Sequence, residues 1–191
     1  MTSAGIGGIL VAVDDEVVVP CLRCTASAAA APVGRVMHLT SSDFSPDGEI
    51  PTLNTCEGAA HAPGLAWAEV PTATKGFALI VDDPDAPNPA APKMVWAHWV
   101  VYNLPASARR LAPGTVLPAG AHDGLNDWKQ SGWRGPCPPI GRHRYFFKLY
   151  ALDAMLPDLK QPTKAQIEQA NSAHVLARAE LVGTYEKHKA C

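Results

Sequence analysis

Eighteen prolines spread through the middle of a 191-residue chain set the first limit on its fold. Proline lacks a backbone N–H and breaks helix interiors, so the pattern argues against a helical bundle and for short strands joined by shaped loops. Two proline-bounded turns stand out because each leads into a strand that carries histidine. Val81-Asp82-Asp83-Pro84-Asp85-Ala86-Pro87 precedes Val95-Trp96-Ala97-His98-Trp99-Val100-Val101-Tyr102-Asn103. Gly135-Pro136-Cys137-Pro138-Pro139 precedes His143-Arg144-Tyr145-Phe146-Phe147-Lys148-Leu149-Tyr150. A rigid turn beside a strand with polar residues among apolar ones fixes hydrogen-bonding groups at a pocket mouth.

Residues 77–81 form a continuous apolar run between Gly76 and an Asp/Pro turn, the pattern of a central strand buried on both faces. Residues 95–103 and 144–152, rich in β-branched and aromatic side chains, read as two further core strands. Weaker strands are expected at 36–40, 64–67 and 181–185. Residues 163–179 break the pattern. Thr163 with Gln166 makes a capping box, and Ile167, Ala170, His174 and Ala177 follow at helical spacing, so one amphipathic helix is expected over the whole segment. The domain is placed at 37–187, preceded by an extension at 1–36 and followed by a tail at 188–191.

The formal net charge of -2 gives no support for a broad nucleic-acid surface. No apolar run approaches the roughly 20 residues of a membrane-spanning helix. The short apolar run at 6–13 lacks a basic start and is closed by Asp14-Asp15-Glu16, so a cytoplasmic protein is expected, with periplasmic or secreted residence as the alternative. Five cysteines form neither a disulfide framework nor a paired zinc ribbon, and Cys21-Leu22-Arg23-Cys24 lacks the further ligands of a structural zinc. No metal and no cofactor is expected. Cys56 and Cys137 read as free thiols, with a redox pair as the alternative.

Alternation along a strand places Trp96, His98, Val100 and Tyr102 on one face, and His143, Tyr145, Phe147 and Leu149 on one face of the other strand. If Asp83 pairs with His98, the imidazole is held protonated, and it can bridge the carboxylate to a bound anion beside the Tyr145 hydroxyl. Equally, His98 can be a core histidine bonded to a backbone carbonyl, Tyr145 an aromatic packed in the sheet, and Asp83 and Asp85 turn formers. The signatures of serine hydrolases, zinc proteases, Walker NTPases and dinucleotide-binding enzymes are all missing. Cys137 near His143 is the one hint of a nucleophile, and no catalytic residue is assigned.

Four segments, in order and sensibly spaced, resemble the phosphatidylethanolamine-binding protein family in its bacterial Raf-kinase-inhibitor-like branch. They are Asp83-Pro84-Asp85-Ala86-Pro87, the strand Trp96-Ala97-His98-Trp99-Val100-Val101, Gly135-Pro136-Cys137-Pro138-Pro139, and His143-Arg144-Tyr145 with its continuation to Asp153. The resemblance implies a mainly β sandwich, a large antiparallel sheet packed on a smaller one with one peripheral helix. It also implies a pocket for phosphate-, acetate- or phosphoethanolamine-like groups, lined by Asp83, His98, Pro138, Pro139, His143 and Tyr145, with Asp85, Trp96 and Cys137 in support. Some members inhibit kinases or serine proteases, so such a partner is the alternative function, and a hydrolase is a third. A homodimer stays open. The sequence departs from the branch at Asn54-Thr55-Cys56-Glu57-Gly58 and Ala62-Pro63-Gly64, where a rim aromatic and a hydroxyl are replaced. The short Ile140-Gly141-Arg142 link implies a different pocket mouth.

Overall fold

A computed structural model describes residues 36–114 and 116–188. The expected extension, with its Cys21 to Cys24 pair, lies outside the described residues apart from Val36, and so does the tail beyond His188. Among the described residues, eight strands and one α-helix make up the fold. Strands β1 (His38–Ser41), β2 (Leu65–Ala68) and β5 (Arg110–Leu111) form a three-stranded antiparallel sheet in the order β1-β2-β5. Strands β3 (Gly76–Asp83), β4 (Trp96–Pro105), β6 (His122–Asp123), β7 (His143–Leu152) and β8 (Val175–Tyr185) form the larger antiparallel sheet, in the order β6-β4-β3-β7-β8.

β3 is central, and all eight of its residues are buried. That is why its sequence is a continuous apolar run: one face packs between the sheets and the other under the helix. Phe77, Leu79 and Val81 meet Val101, Phe147 and Leu149 of the same sheet and Leu39, Leu65 and Trp67 of the small sheet. Each such side chain, removed from water, contributes about 1.5–3 kcal/mol. On the opposite face Ala78, Ile80, Val100 and Tyr102 pack with Ile167 of α1 (Lys164–Asn171). Asp82 is fully buried on this side, accepting from Lys148 at 2.8 and 2.9 Å and from Lys164.

The helix is shorter than its sequence pattern. The capping box forms as expected, the Thr163 N–H donating to Gln166 Oε1 at 2.9 Å while Thr163 Oγ1 accepts from the Gln166 N–H. After Asn171, however, the chain turns, His174 meets the Asp153 carboxylate at 2.8 Å, and residues from Val175 onward join β8. There they pair with β7 over ten registered positions, satisfying β7's otherwise open edge. Ladder pairing outweighs the helical periodicity carried by Ala177, which packs against the inter-sheet core instead. Gly183 has no room for a side chain: a Cβ would sit 2.7 Å from Ile50 Cγ1 and 2.8 Å from Phe44.

Candidate functional site

The site is built where β3 ends. Asp83 is 4% exposed and closes the following turn with Oδ1, which accepts from the Asp85 N–H at 2.8 Å. Its Oδ2 lies 2.7 Å from Nδ1 of His143, the first residue of β7 and fully buried. The other His143 nitrogen, Nε2, lies 3.1 Å from the Ile140 carbonyl, so the protein itself occupies both ring nitrogens. Asp85 faces outward along the same turn. It accepts from the Arg144 backbone N–H at 2.9 Å and holds that residue's guanidinium with two bonds, of 2.9 and 2.7 Å. The guanidinium keeps the Asp85 carboxyl below the usual range. The β3 turn and the start of β7 are thereby clamped together, and the turn continues through a cis Ala86-Pro87 bond.

β4 departs from strict alternation at the site. Val81 pairs with Trp99 and Asp82 with Ala97, leaving His98 as one extra residue, a β-bulge. Ala97, Val100 and Tyr102 face the helix side, while Trp99 and Val101 face the inter-sheet core. His98 therefore does not share a face with Val100 and Tyr102, as alternation predicted; the extra residue turns it toward the pocket. Alternation does hold in β7, where His143, Tyr145, Phe147 and Leu149 are all buried on one face. The bulged backbone is covered by the segment after β6: Arg134 N–H donates to the His98 carbonyl at 3.1 Å, and Ala97 N–H donates to Asp127 at 2.7 Å.

A pocket of about 210 Å³ lies against these elements. Asp83, His98, Pro138, Pro139, His143 and Tyr145 line it together with Trp96 and Cys137, whereas Asp85 stands behind the lining. Sequence reasoning missed Ala86, Pro87, Met94 and Trp128. Pro87 and Ala86 sit inside a motif already singled out and were readable by proximity. Trp128 arrives from a loop whose Asn126 side chain accepts from two backbone N–H groups, at Trp128 and Gln130, and it packs edge-on against Trp96 and His98 at 5.3 and 5.0 Å.

The electrostatics differ from the protonated His98–Asp83 pair derived above. Asp83 pairs with His143, and His98 Nδ1 lies 2.6 Å from the Arg134 carbonyl, the alternative bonding pattern considered for this residue. Burial lowers the His98 pKa to about 4, outweighing the carbonyl and the more distant Asp127 and Asp82 that favour the charged form. His98 is thus neutral near pH 7, with Nδ1–H donated to the carbonyl and Nε2 left as a lone pair. Burial raises Asp83, opposed by its bonds to His143 and the Asp85 N–H, and raises the Tyr145 hydroxyl further. Among the described residues, the Tyr145 hydroxyl and Trp96 Nε1 are buried without a hydrogen-bond partner.

Cys56 and Cys137 are not free thiols. Their sulfurs are joined in a disulfide, with Cα atoms 5.4 Å apart. The Cys56 N–H also donates to the Pro136 carbonyl at 3.0 Å, so backbone and side chain together fasten the 52–58 turn to the proline wall. An 81-residue separation hides this pairing from any local pattern.

Among the described residues, no cluster of histidine, cysteine and carboxylate groups is suited to a metal, and no helix is long and apolar enough to cross a membrane. Comparison with known proteins adds the relationship. Residues 40–186 match the family model described as phosphatidylethanolamine-binding protein. A UPF0098 protein of Chlamydia pneumoniae is 43% identical over 151 residues, covering 79% of this chain and 99% of its own. The crystal structure of a putative phosphatidylethanolamine-binding protein homolog from Chlamydia trachomatis superposes with a TM-score of 0.75 at 43% identity, covering 80% of this chain and 98% of that one. Escherichia coli YbcL, described as a member of the mammalian PEBP family, superposes at 0.72 with 34% identity, over 80% and 99% of the two chains. Strand order, clamped turns and sequence similarity converge: the chain belongs to the phosphatidylethanolamine-binding protein family.

Proposed function

We propose that this protein binds a small anionic head group, phosphorylated or carboxylate-bearing, in the pocket between the β3 turn, the His98 bulge and the Pro138-Pro139 wall, and that it does so without catalysis. The observation that carries this reading is the pair of orphaned buried donors, Tyr145 Oη and Trp96 Nε1, beside a cavity. A buried polar group without a partner costs about 1–3 kcal/mol, which a ligand oxygen recovers. At about 210 Å³ the cavity is below the range of drug-sized sites, matching a head group rather than a whole lipid. His143 acts by positioning, since its nitrogens are taken. Cys137, held in a disulfide, offers no thiolate, which weighs against the hydrolase reading.

Exposed Met94, Val95 and Ile140 lie beside the pocket segments and support a second reading, in which a kinase or protease partner covers this apolar rim. The disulfide also supports residence in an oxidising compartment, the periplasmic or secreted alternative, over the cytoplasm. The test of the main reading is titration of phosphate and phosphoethanolamine into wild-type and Tyr145→Phe protein, followed by imidazole NMR signals. Saturable shifts at His98, weakened about 10-fold or more in the variant as expected for a lost bond to a charged group, support head-group binding. Flat signals in folded wild-type protein refute it and give the lead to the partner-inhibitor reading.

A further inference from the structure

The polar groups that the pocket leaves to a ligand are unusual for an anion site. Among the described residues, no lysine or arginine lines it. Arg144 is held on the outside by Asp85, Lys148 and Lys164 are on the helix side with Asp82, and Arg134 lies over the Trp128 ring at 5.6 Å. The one carboxylate in the lining, Asp83, faces His143. His98 gives its Nδ1–H to the Arg134 carbonyl at 2.6 Å, and its Nε2 bonds to no described residue. In a neutral ring with Nδ1–H committed, Nε2 can only accept. The lining residues thus include two donors without a partner among the described residues, Tyr145 Oη and Trp96 Nε1, and one acceptor, His98 Nε2.

A bare oxyanion fits this set badly. Its oxygens satisfy Tyr145 and Trp96 but oppose the lone pair of Nε2, and no lysine or arginine among the described lining residues balances the added charge. We infer that the pocket selects an oxyacid in its singly charged, protonated form, a phosphomonoester monoanion whose P–OH donates to His98 Nε2 while its other oxygens accept from Tyr145 and Trp96. This rests on the head-group reading and specifies the ligand's ionisation. Burial holds the His98 pKa at about 4, below the range in which a phosphomonoester loses its second proton. The charged and titratable groups around the ring are Asp82 and Asp83 from β3, His143 and Tyr145 from β7, and Asp127 and Arg134 from the covering segment. The two more distant carboxylates, Asp127 and Asp82, are outweighed by desolvation.

Methyl phosphate and methyl sulfate separate the donor from everything else, because the two monoanions share charge and shape and differ in one acidic proton. Isothermal titration of each into the full chain at pH 5.5 and pH 8 is the experiment. Methyl phosphate is expected to bind at pH 5.5 at least about 10-fold more tightly than methyl sulfate, the loss that follows from leaving Nε2 opposed. Its affinity is expected to fall by about 50-fold or more at pH 8, since the second ionisation of a phosphomonoester lies near ~6, with proton uptake seen as a buffer-dependent heat. His98→Gln, whose amide can turn a donor toward the ligand, should narrow the gap between the two probes. Equal binding of both anions, or methyl phosphate binding that is constant or tighter at pH 8, overturns the inference while leaving head-group binding intact. Binding of neither probe removes head-group binding and the inference together.

Discussion

Removing the disulfide by the double change Cys56→Ser with Cys137→Ser tests how the proline wall is held. The bond closes a loop between residues 81 apart in sequence. In the chain-entropy treatment, a loop of that length restricts the unfolded chain by about 4.5 kcal/mol at 25 °C. The substitution gives up little native packing near the bond, because both cysteines are exposed and the Cys56 N–H still donates to the Pro136 carbonyl. The expected loss is therefore about 2–4.5 kcal/mol, the lower end allowing for structure retained in the unfolded chain. Urea unfolding followed by tryptophan fluorescence reads it directly: with a slope of about 2 kcal/mol per molar, the midpoint should drop by roughly 1–2 M. Dithiothreitol should move the wild type to the variant's midpoint and leave the variant unchanged. Coincident midpoints for variant and wild type, with unlinked Cys56 and Cys137 peptides in a non-reducing digest, would refute the reasoning.

Two further perturbations address the buried ionisable groups. Asp83→Ala leaves both the His143 Nδ1 and the Asp85 N–H without their acceptor and is expected to cost about 2–5 kcal/mol, while Asp83→Asn keeps an oxygen for the Asp85 N–H and should cost about half that; equal losses in urea melts would contradict the assigned bonding. His98, lowered from 6.5 to about 4 in the folded state, binds its proton more readily when unfolded, so its contribution is fully present above pH 6.5 and is lost as pH falls toward 4. That loss is roughly 3 kcal/mol, and in His98→Asn, which keeps a donor for the Arg134 carbonyl, the stability difference between pH 6.5 and pH 4 should shrink by a comparable amount.

The parts of this fold legible in the sequence are those whose pattern is local. β3 announces itself because burial on both faces demands an unbroken apolar run, and β7 because alternation continues from His143 to Leu149. The pocket was approachable because its histidines, prolines and aspartates cluster in two short motifs. What stayed hidden is decided by partners far away in sequence. The bulge at His98 is invisible in a segment where both faces are apolar, since periodicity carries no phase there. The helix end at Asn171 depends on β7 needing a neighbour, the Cys56–Cys137 bond on two loops meeting, and Trp128 on a turn that docks over β4. The pairing of Asp83 with His143 rather than His98 followed from the same bulge and from the clamp on β7.

The outward capture of Arg144 by Asp85 has a consequence for how a ligand arrives. With the Arg144 guanidinium tied down on the exterior and no lysine or arginine among the described lining residues, a ligand's encounter with the pocket should owe little to charge steering and proceed near an unassisted diffusional rate. Ionic strength then has little to screen, and occupancy should change far less between dilute buffer and concentrated salt than in an arginine-lined anion site.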